Sequence, residues 1–159
     1  HRPPIRRNPP MYVLARLSFG FVVGALAVIL ALQGAVWLMG QIGLAAIQLF
    51  PMRAPLPASL PGLTQPAIIG GLWGLAFILI WDRWGRDGIV KGAGFGTLFG
   101  LVGPGMVLWV VWPALRGAAL FEGGNAGRIA AGALLAVAFG IGLAWIGQVL
   151  NGYMRYAAR

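Results

Sequence analysis

A run of 25 residues from Leu17 to Gln41, LSFGFVVGALAVILALQGAVWLMGQ, contains no charged side chain. As a helix rising 1.5 Å per residue, it is long enough to cross the roughly 30 Å hydrocarbon core of a bilayer with some tilt. The rest of the chain has the same character. Of 159 residues, 59% are hydrophobic and 9% charged, with a mean hydropathy of +0.82. Soluble domains are about 25% charged. Twelve basic and three acidic residues are too few, and too clustered, to cover a surface that faces water.

Basic residues precede the run, as they do in a secretory signal peptide. The apolar region of such a peptide, however, is about 7 to 15 residues long and ends at an A-x-A-like site. This run is longer and no such site follows, so it is read as the first membrane span, residues 17–41. The second span is 67–83, with Pro66 at its first turn. The third, 94–115, is interrupted by Gly103-Pro104-Gly105 and closed by Trp112-Pro113, and the fourth is 129–150.

The expected fold is therefore all-α: a polytopic integral membrane protein with four transmembrane helices in a small bundle. One membrane domain (17–150) stands between a basic, proline-rich tail (1–16) and a short C-terminal tail (151–159). Residues 44–50 either lie at the interface or continue the first helix. Prolines 51, 55, 57, 61 and 66 make 51–66 an extended loop.

Short loops rich in Lys and Arg stay in the cytoplasm. Nine basic residues fall on one side: Arg2, Arg6, Arg7, Arg16, Arg83, Arg86, Lys91, Arg155 and Arg159. Three fall on the other: Arg53, Arg116 and Arg128. Both termini are expected in the cytoplasm and the proline-rich loop outside. Aromatics follow the same division, with Tyr12, Trp81, Trp84, Tyr153 and Tyr156 assigned to the cytoplasmic interface and Trp37, Trp109 and Trp112 towards the outer one. The net charge of +9 is explained by this topology and by anionic headgroups, so no nucleic-acid partner is expected. Eleven arginines against one lysine, with 26 glycines, suggest a GC-rich genome, and the expected location is a bacterial inner membrane.

Helices in lipid associate by close packing, and small residues four apart let their backbones approach. Such pairs recur in every span: Gly20 and Gly24; Gly70 and Gly74; Gly92, Gly96 and Gly100; Gly132, Ala136, Gly140 and Ala144. These residues either pack the four helices on one another or dock a partner. The Gly103-Pro104-Gly105 break is a packing kink or, as in secondary transporters, part of a substrate site; such sites normally come as matching interruptions in two repeats, and no second Gly-Pro break is present. Asp82, Arg83, Arg86 and Asp87 form an interfacial charge cluster whose i, i+4 pairs would meet if the second helix continued.

No ionisable residue lies in the interior of a predicted span; Arg16, Asp82, Arg83, Arg116, Arg128 and Arg155 all sit at ends. The polar candidates are Ser18, Gln33, Thr97 and Gln148, with Gln41 and Asn151 near the interfaces. Without cysteine there is no thiolate chemistry, and the one histidine is His1, so no span offers an imidazole for axial haem ligation. The segment GAGFGTLFG sits inside an apolar span with no preceding strand, and is not read as a phosphate loop. Catalysis is not expected. No cofactor is expected to be ligated by side chains, although lipid, carotenoid or quinone could bind through apolar grooves.

The leading expectation is a non-catalytic accessory subunit that scaffolds a larger integral membrane complex, with other membrane subunits and lipids as partners. Respiratory and photosynthetic complexes are the hosts suggested by analogy. The alternatives are a small oligomeric transporter or channel with its pathway at Gly103-Pro104-Gly105, and a transient assembly factor.

Overall fold

The structure, a computed structural model, describes residues 9–43, 64–84 and 88–157, with side chains described for 13–43, 64–81, 88 and 90–152. Among the described residues it is helical, with no strand. Helix α1 (Pro9–Leu26) runs through a π-wound stretch, Ala27–Leu32, into α2 (Gln33–Gln41) as one rod. Helix α3 covers Thr64–Trp84. Helix α4 (Ile89–Gly100) continues through two π-wound stretches, Leu101–Gly105 and Val107–Val111, into α5 (Trp112–Leu115). Helix α6 covers Ala126–Ala157. Within these rods, four segments are long and apolar enough to cross a membrane: Val13–Gln41, Thr64–Trp81, Val90–Leu115 and Ala126–Gly152, called spans 1 to 4 below. The chain is a multi-pass membrane protein by the length and composition of these helices.

The helices start earlier than the apolar runs suggested. Pro9 and Pro10 fall in the first turn of α1, where a missing N–H costs nothing, so part of the expected N-terminal tail is helical. Thr64 to Pro66 likewise belong to α3 rather than to the preceding loop. Helix α6 begins at Ala126 because Asn125 caps it, its Oδ1 accepting the Arg128 backbone N–H at 3.1 Å. The same helix runs on through Ala157, where a short tail was expected. Span 3 ends in a Schellman turn: Ala118 N–H reaches the Pro113 carbonyl (2.9 Å) and Gly117 N–H the Ala114 carbonyl (3.3 Å), with Gly117 at φ 65°. Residues 44–50 and the prolines at 51, 55, 57 and 61 lie outside the described residues.

The bundle is built from two hairpins. Span 1 crosses span 2 with Gly20 against Gly74 and Gly24 against Gly70; span 3 crosses span 4 with Gly96 against Gly140 and Gly100 against Ala136. The neighbours match as well, since Gly20 also faces Ile78 and Gly96 faces Ala144. Sequence and structure together thus reveal an internal repeat. Phe19-Gly20-x3-Gly24 corresponds to Phe95-Gly96-x3-Gly100, and Gly70-x2-Trp73-Gly74 to Ala136-x2-Phe139-Gly140. Within each hairpin the crossing is antiparallel, and spans 1 and 4 are also antiparallel through contacts at Ala31–Gly142 and Val23–Gly147, so spans 1 and 3 run in the same direction.

The two hairpins join through unlike faces. Spans 1 and 4 meet closely, with Ala27 and Ala31 against Gly142. Spans 2 and 3 are held apart by rings: Phe77 lies 5.7 Å from Phe95 and 5.1 Å from Phe99, Trp73 6.0 Å from Phe99, and Trp81 5.9 Å from Phe95. Offset and edge-on pairs of this kind add to simple burial. The core continues through Val23, Val28, Leu32, Ile78, Leu135 and Leu143. Large apolar side chains such as Val90, Leu115, Leu14 and Trp37 point outward, as lipid-facing surfaces require.

Candidate functional site

All ten small residues singled out in the sequence, Gly20, Gly24, Gly70, Gly74, Gly92, Gly96, Gly100, Gly132, Ala136 and Gly140, lie at helix–helix contacts within the chain. At the Gly24–Gly70 and Gly96–Gly140 crossings, a Cβ on either residue would collide with the carbonyl oxygen or backbone of the other. Gly92 and Gly132 do something different. Gly92 makes room for the Gln148 amide and the Trp81 ring, and Gly132 for the Trp109 indole. Trp81 and Trp109, assigned to the membrane interfaces, are 4% and 6% exposed and fill slots that glycine opens, whereas Trp37 and Trp112 do face outward.

Gly103-Pro104-Gly105 does not end the helix. Proline removes one α-type hydrogen bond, and the chain here winds as a π-helix over Leu101–Gly105 and again over Val107–Val111. Trp73 of span 2 packs over Gly103, with its ring 3.1 Å from where a Cβ would stand. The interruption has a counterpart that contains no proline. Span 1 is π-wound over Ala27–Leu32, and in both spans this winding follows the glycine crossing within a turn. Matching interruptions are therefore present in the two repeats, although no second Gly-Pro pair marks them.

Of the interfacial charge cluster, Arg86 and Asp87 lie outside the described residues, and Asp82 and Arg83 are described only as backbone in α3. Among the polar candidates Ser18 and Gln41 are exposed, while Gln33, Thr97, Gln148 and Asn151 are half-buried. Gln148 has a definite role. Its Nε2 donates to the Gly88 carbonyl at 3.3 Å, tying the start of span 3 to span 4. Gly88 sits at φ 92°, ψ 160°, a conformation essentially confined to glycine.

The other end of this hairpin holds an arrangement that no local sequence pattern announces. Phe121, Glu122 and Gly123 all take left-handed conformations (φ 48°, 52° and 64°). This turn stacks Phe121 on Trp109, ring centroids 6.5 Å apart, and brings the Glu122 carboxylate 3.7 Å from Arg128. Non-glycine residues cost about 1–2 kcal/mol each in this region, so neither Phe121 nor Glu122 signals the turn in the sequence. Arg116 lies 4.1 Å over the Trp112 ring. Among the described residues no group of three or more His, Cys, Asp or Glu side chains is placed to hold a metal.

No family model matches the chain, and neither the curated proteins nor the solved structures give a match.

Proposed function

We propose that the chain is a non-catalytic subunit that packs into a larger integral membrane assembly in a bacterial inner membrane, with both termini in the cytoplasm. The observation that carries this reading is the self-packed apolar interior. The side chains at the centre of the bundle, Phe77, Ile78, Leu143 and Val23, are less than 2% exposed. The helices around them meet backbone to backbone, and the described charged side chains stand near the ends of the spans or between them. A body of this kind fills and seals space between other membrane subunits. Respiratory and photosynthetic complexes are its candidate hosts by analogy.

The test is purification from native membranes in mild detergent through a C-terminal tag. Mass spectrometry would identify the sedimenting species, and its visible spectrum would be recorded. Near-stoichiometric co-migration with larger subunits supports the reading; a colourless species made of this chain alone removes it. Presence in a precursor but absence from the mature complex would instead identify an assembly factor.

A second reading is favoured by the paired π stretches. Corresponding interruptions in two repeats are where secondary transporters place their substrate sites. On this reading the chain is a small oligomeric transporter, its pathway passing between Ala27–Leu32 and Leu101–Gly105. Reconstituted flux that disappears in Gly105→Leu supports it, and absence of flux across a broad substrate screen counts against it.

A further inference from the structure

Among the described residues, one buried side-chain nitrogen or oxygen has no hydrogen-bond partner, the Trp109 indole Nε1. Trp109 is 6% exposed, and its Nε1 lies 2.9 Å from where a Cβ on Gly132 would stand. Buried N–H groups without an acceptor are few in native proteins and call for an explanation. Here the surroundings supply one.

Part of what covers the indole is itself exposed. Phe121, itself 41% exposed, stacks on it. Phe121 is held there by a left-handed turn of the kind that persists only where other contacts fix it. Those contacts are the stack itself and the Glu122–Arg128 pair, whose side chains are 37% and 63% exposed. Arg128 stands one helical turn before Gly132 on the same face of α6. Arg128 therefore stands about 6 Å of helix nearer the start of α6 than the glycine against which the indole nitrogen packs. Arg128 lies beside the end of the bundle where span 3 stops at Leu115 and span 4 starts at Ala126, and Trp109 lies further in from that end.

We infer that this end of the bundle binds an anionic phospholipid, with the headgroup phosphodiester on Arg128, a glycerol ester carbonyl accepting from the Trp109 indole N–H, and Phe121–Glu122 as the lid. An anionic phospholipid presents a charged oxygen and, one level deeper, a neutral carbonyl acceptor, the order in which Arg128 and the indole packed on Gly132 follow from the start of α6. Glu122 competes with the phosphodiester for Arg128, so binding displaces it, and losing that pair frees the strained turn to lift Phe121 from the indole.

The experiment uses the full chain, labelled at its tryptophan indole nitrogens, in nanodiscs of phosphatidylcholine with increasing phosphatidylglycerol. The Trp109 indole resonance is assigned with Trp109→Phe, and the other six of the seven tryptophans report that the fold is intact. Expected is a saturable shift of the Trp109 resonance together with faster amide exchange at 119–124. Glu122→Gln should lower the phosphatidylglycerol fraction needed for half of that shift by about twofold to fivefold, the weight of one exposed ion pair, and Arg128→Gln should raise it at least as much. A Trp109 resonance that ignores phosphatidylglycerol while the other six show an intact fold overturns the inference. So does a shift that is unaffected by Arg128→Gln, or one produced equally by soluble glycerol 3-phosphate in pure phosphatidylcholine discs.

Discussion

Gly24 of span 1 and Gly70 of span 2 meet so closely that a Cβ on either would strike the other's carbonyl oxygen. Gly34, two and a half turns further along the same rod, has nothing within 4 Å of its Cβ position. Gly24→Ala should therefore cost about 1–3 kcal/mol, the usual penalty for forcing extra volume into a tight contact. Gly34→Ala should be neutral, or stabilising by about 0.5–1 kcal/mol through helix propensity. Unfolding by SDS in mixed micelles measures both. Equal effects from the two substitutions would mean that the hairpin is not closed at this crossing.

The repeat makes a matching prediction for the second hairpin. Gly96 contacts the Gly140 backbone as Gly20 contacts that of Gly74. Gly96→Ala should thus cost about as much as Gly20→Ala, both in the range of about 1–3 kcal/mol. In the same SDS titration, a neutral Gly96→Ala would break the equivalence of the two hairpins.

The number of helices, and the residues on which they cross, were legible in the sequence because both follow from local rules. Charge-free runs such as Leu17–Gln41 set the spans, and glycines spaced by four mark where backbones touch. Less was legible where the outcome depends on a neighbour. That Trp109 packs inside the bundle becomes visible only when Gly132, on another helix, is seen to open a slot for it. The π winding of Ala27–Leu32 leaves no mark in a stretch of Ala, Val, Ile and Leu. The Phe121–Glu122 turn contradicts local preference, and only its contacts with Trp109 and Arg128 account for it. The internal repeat was open to detection by aligning Phe19-Gly20-x3-Gly24 with Phe95-Gly96-x3-Gly100, a comparison across hairpins rather than along one span.

Because span 1 is π-wound without proline, Pro104 is not needed to make span 3 π-wound. Pro104→Ala restores an N–H, which in a π-helix can bond to the Phe99 carbonyl five residues back. Removing a proline from the interior of an α-helix should return about 3 kcal/mol. In this π-wound segment the change should stay within about 1 kcal/mol, since the backbone has already adapted to the missing bond. A gain near the full α-helical figure in the SDS titration would show that span 3 reverts to α winding once proline is removed.

At the other end of span 3, Gly92 and Gln148 form a coupled pair. A Cβ on Gly92 collides with the Gln148 amide and stands 2.8 Å from the Trp81 ring. Gly92→Ala should destabilise by about 1–3 kcal/mol, and less in a Gln148→Ala background, where the amide is gone and only Trp81 resists. Residues in direct contact show interaction energies of about 0.5–3 kcal/mol in such cycles. Strict additivity of the two changes would place Gln148 away from Gly92. Gly88→Ala tests the same corner through the backbone: it should cost about 1–3 kcal/mol, because alanine does not adopt φ 92°, ψ 160° without strain.

The left-handed turn offers the sharpest test of local strain. Glu122 gains an exposed ion pair with Arg128, worth about 0.2–1 kcal/mol, and holds a backbone conformation that costs about 1–2 kcal/mol. Glu122→Gln removes the pair and keeps the strain, so it should destabilise by no more than about 1 kcal/mol. Glu122→Gly removes both, and relief of the strain outweighs loss of the pair, giving a net gain of roughly 0.5–1.5 kcal/mol. Phe121→Gly relieves similar strain but loses a ring stack worth about 0.5–1.5 kcal/mol, so its balance should lie near zero. The ordering Glu122→Gly above wild type and wild type above Glu122→Gln, measured in one set of SDS titrations, is the signature of the turn. If Glu122→Gly is as destabilising as Glu122→Gln, the residue at 122 is not held at positive φ.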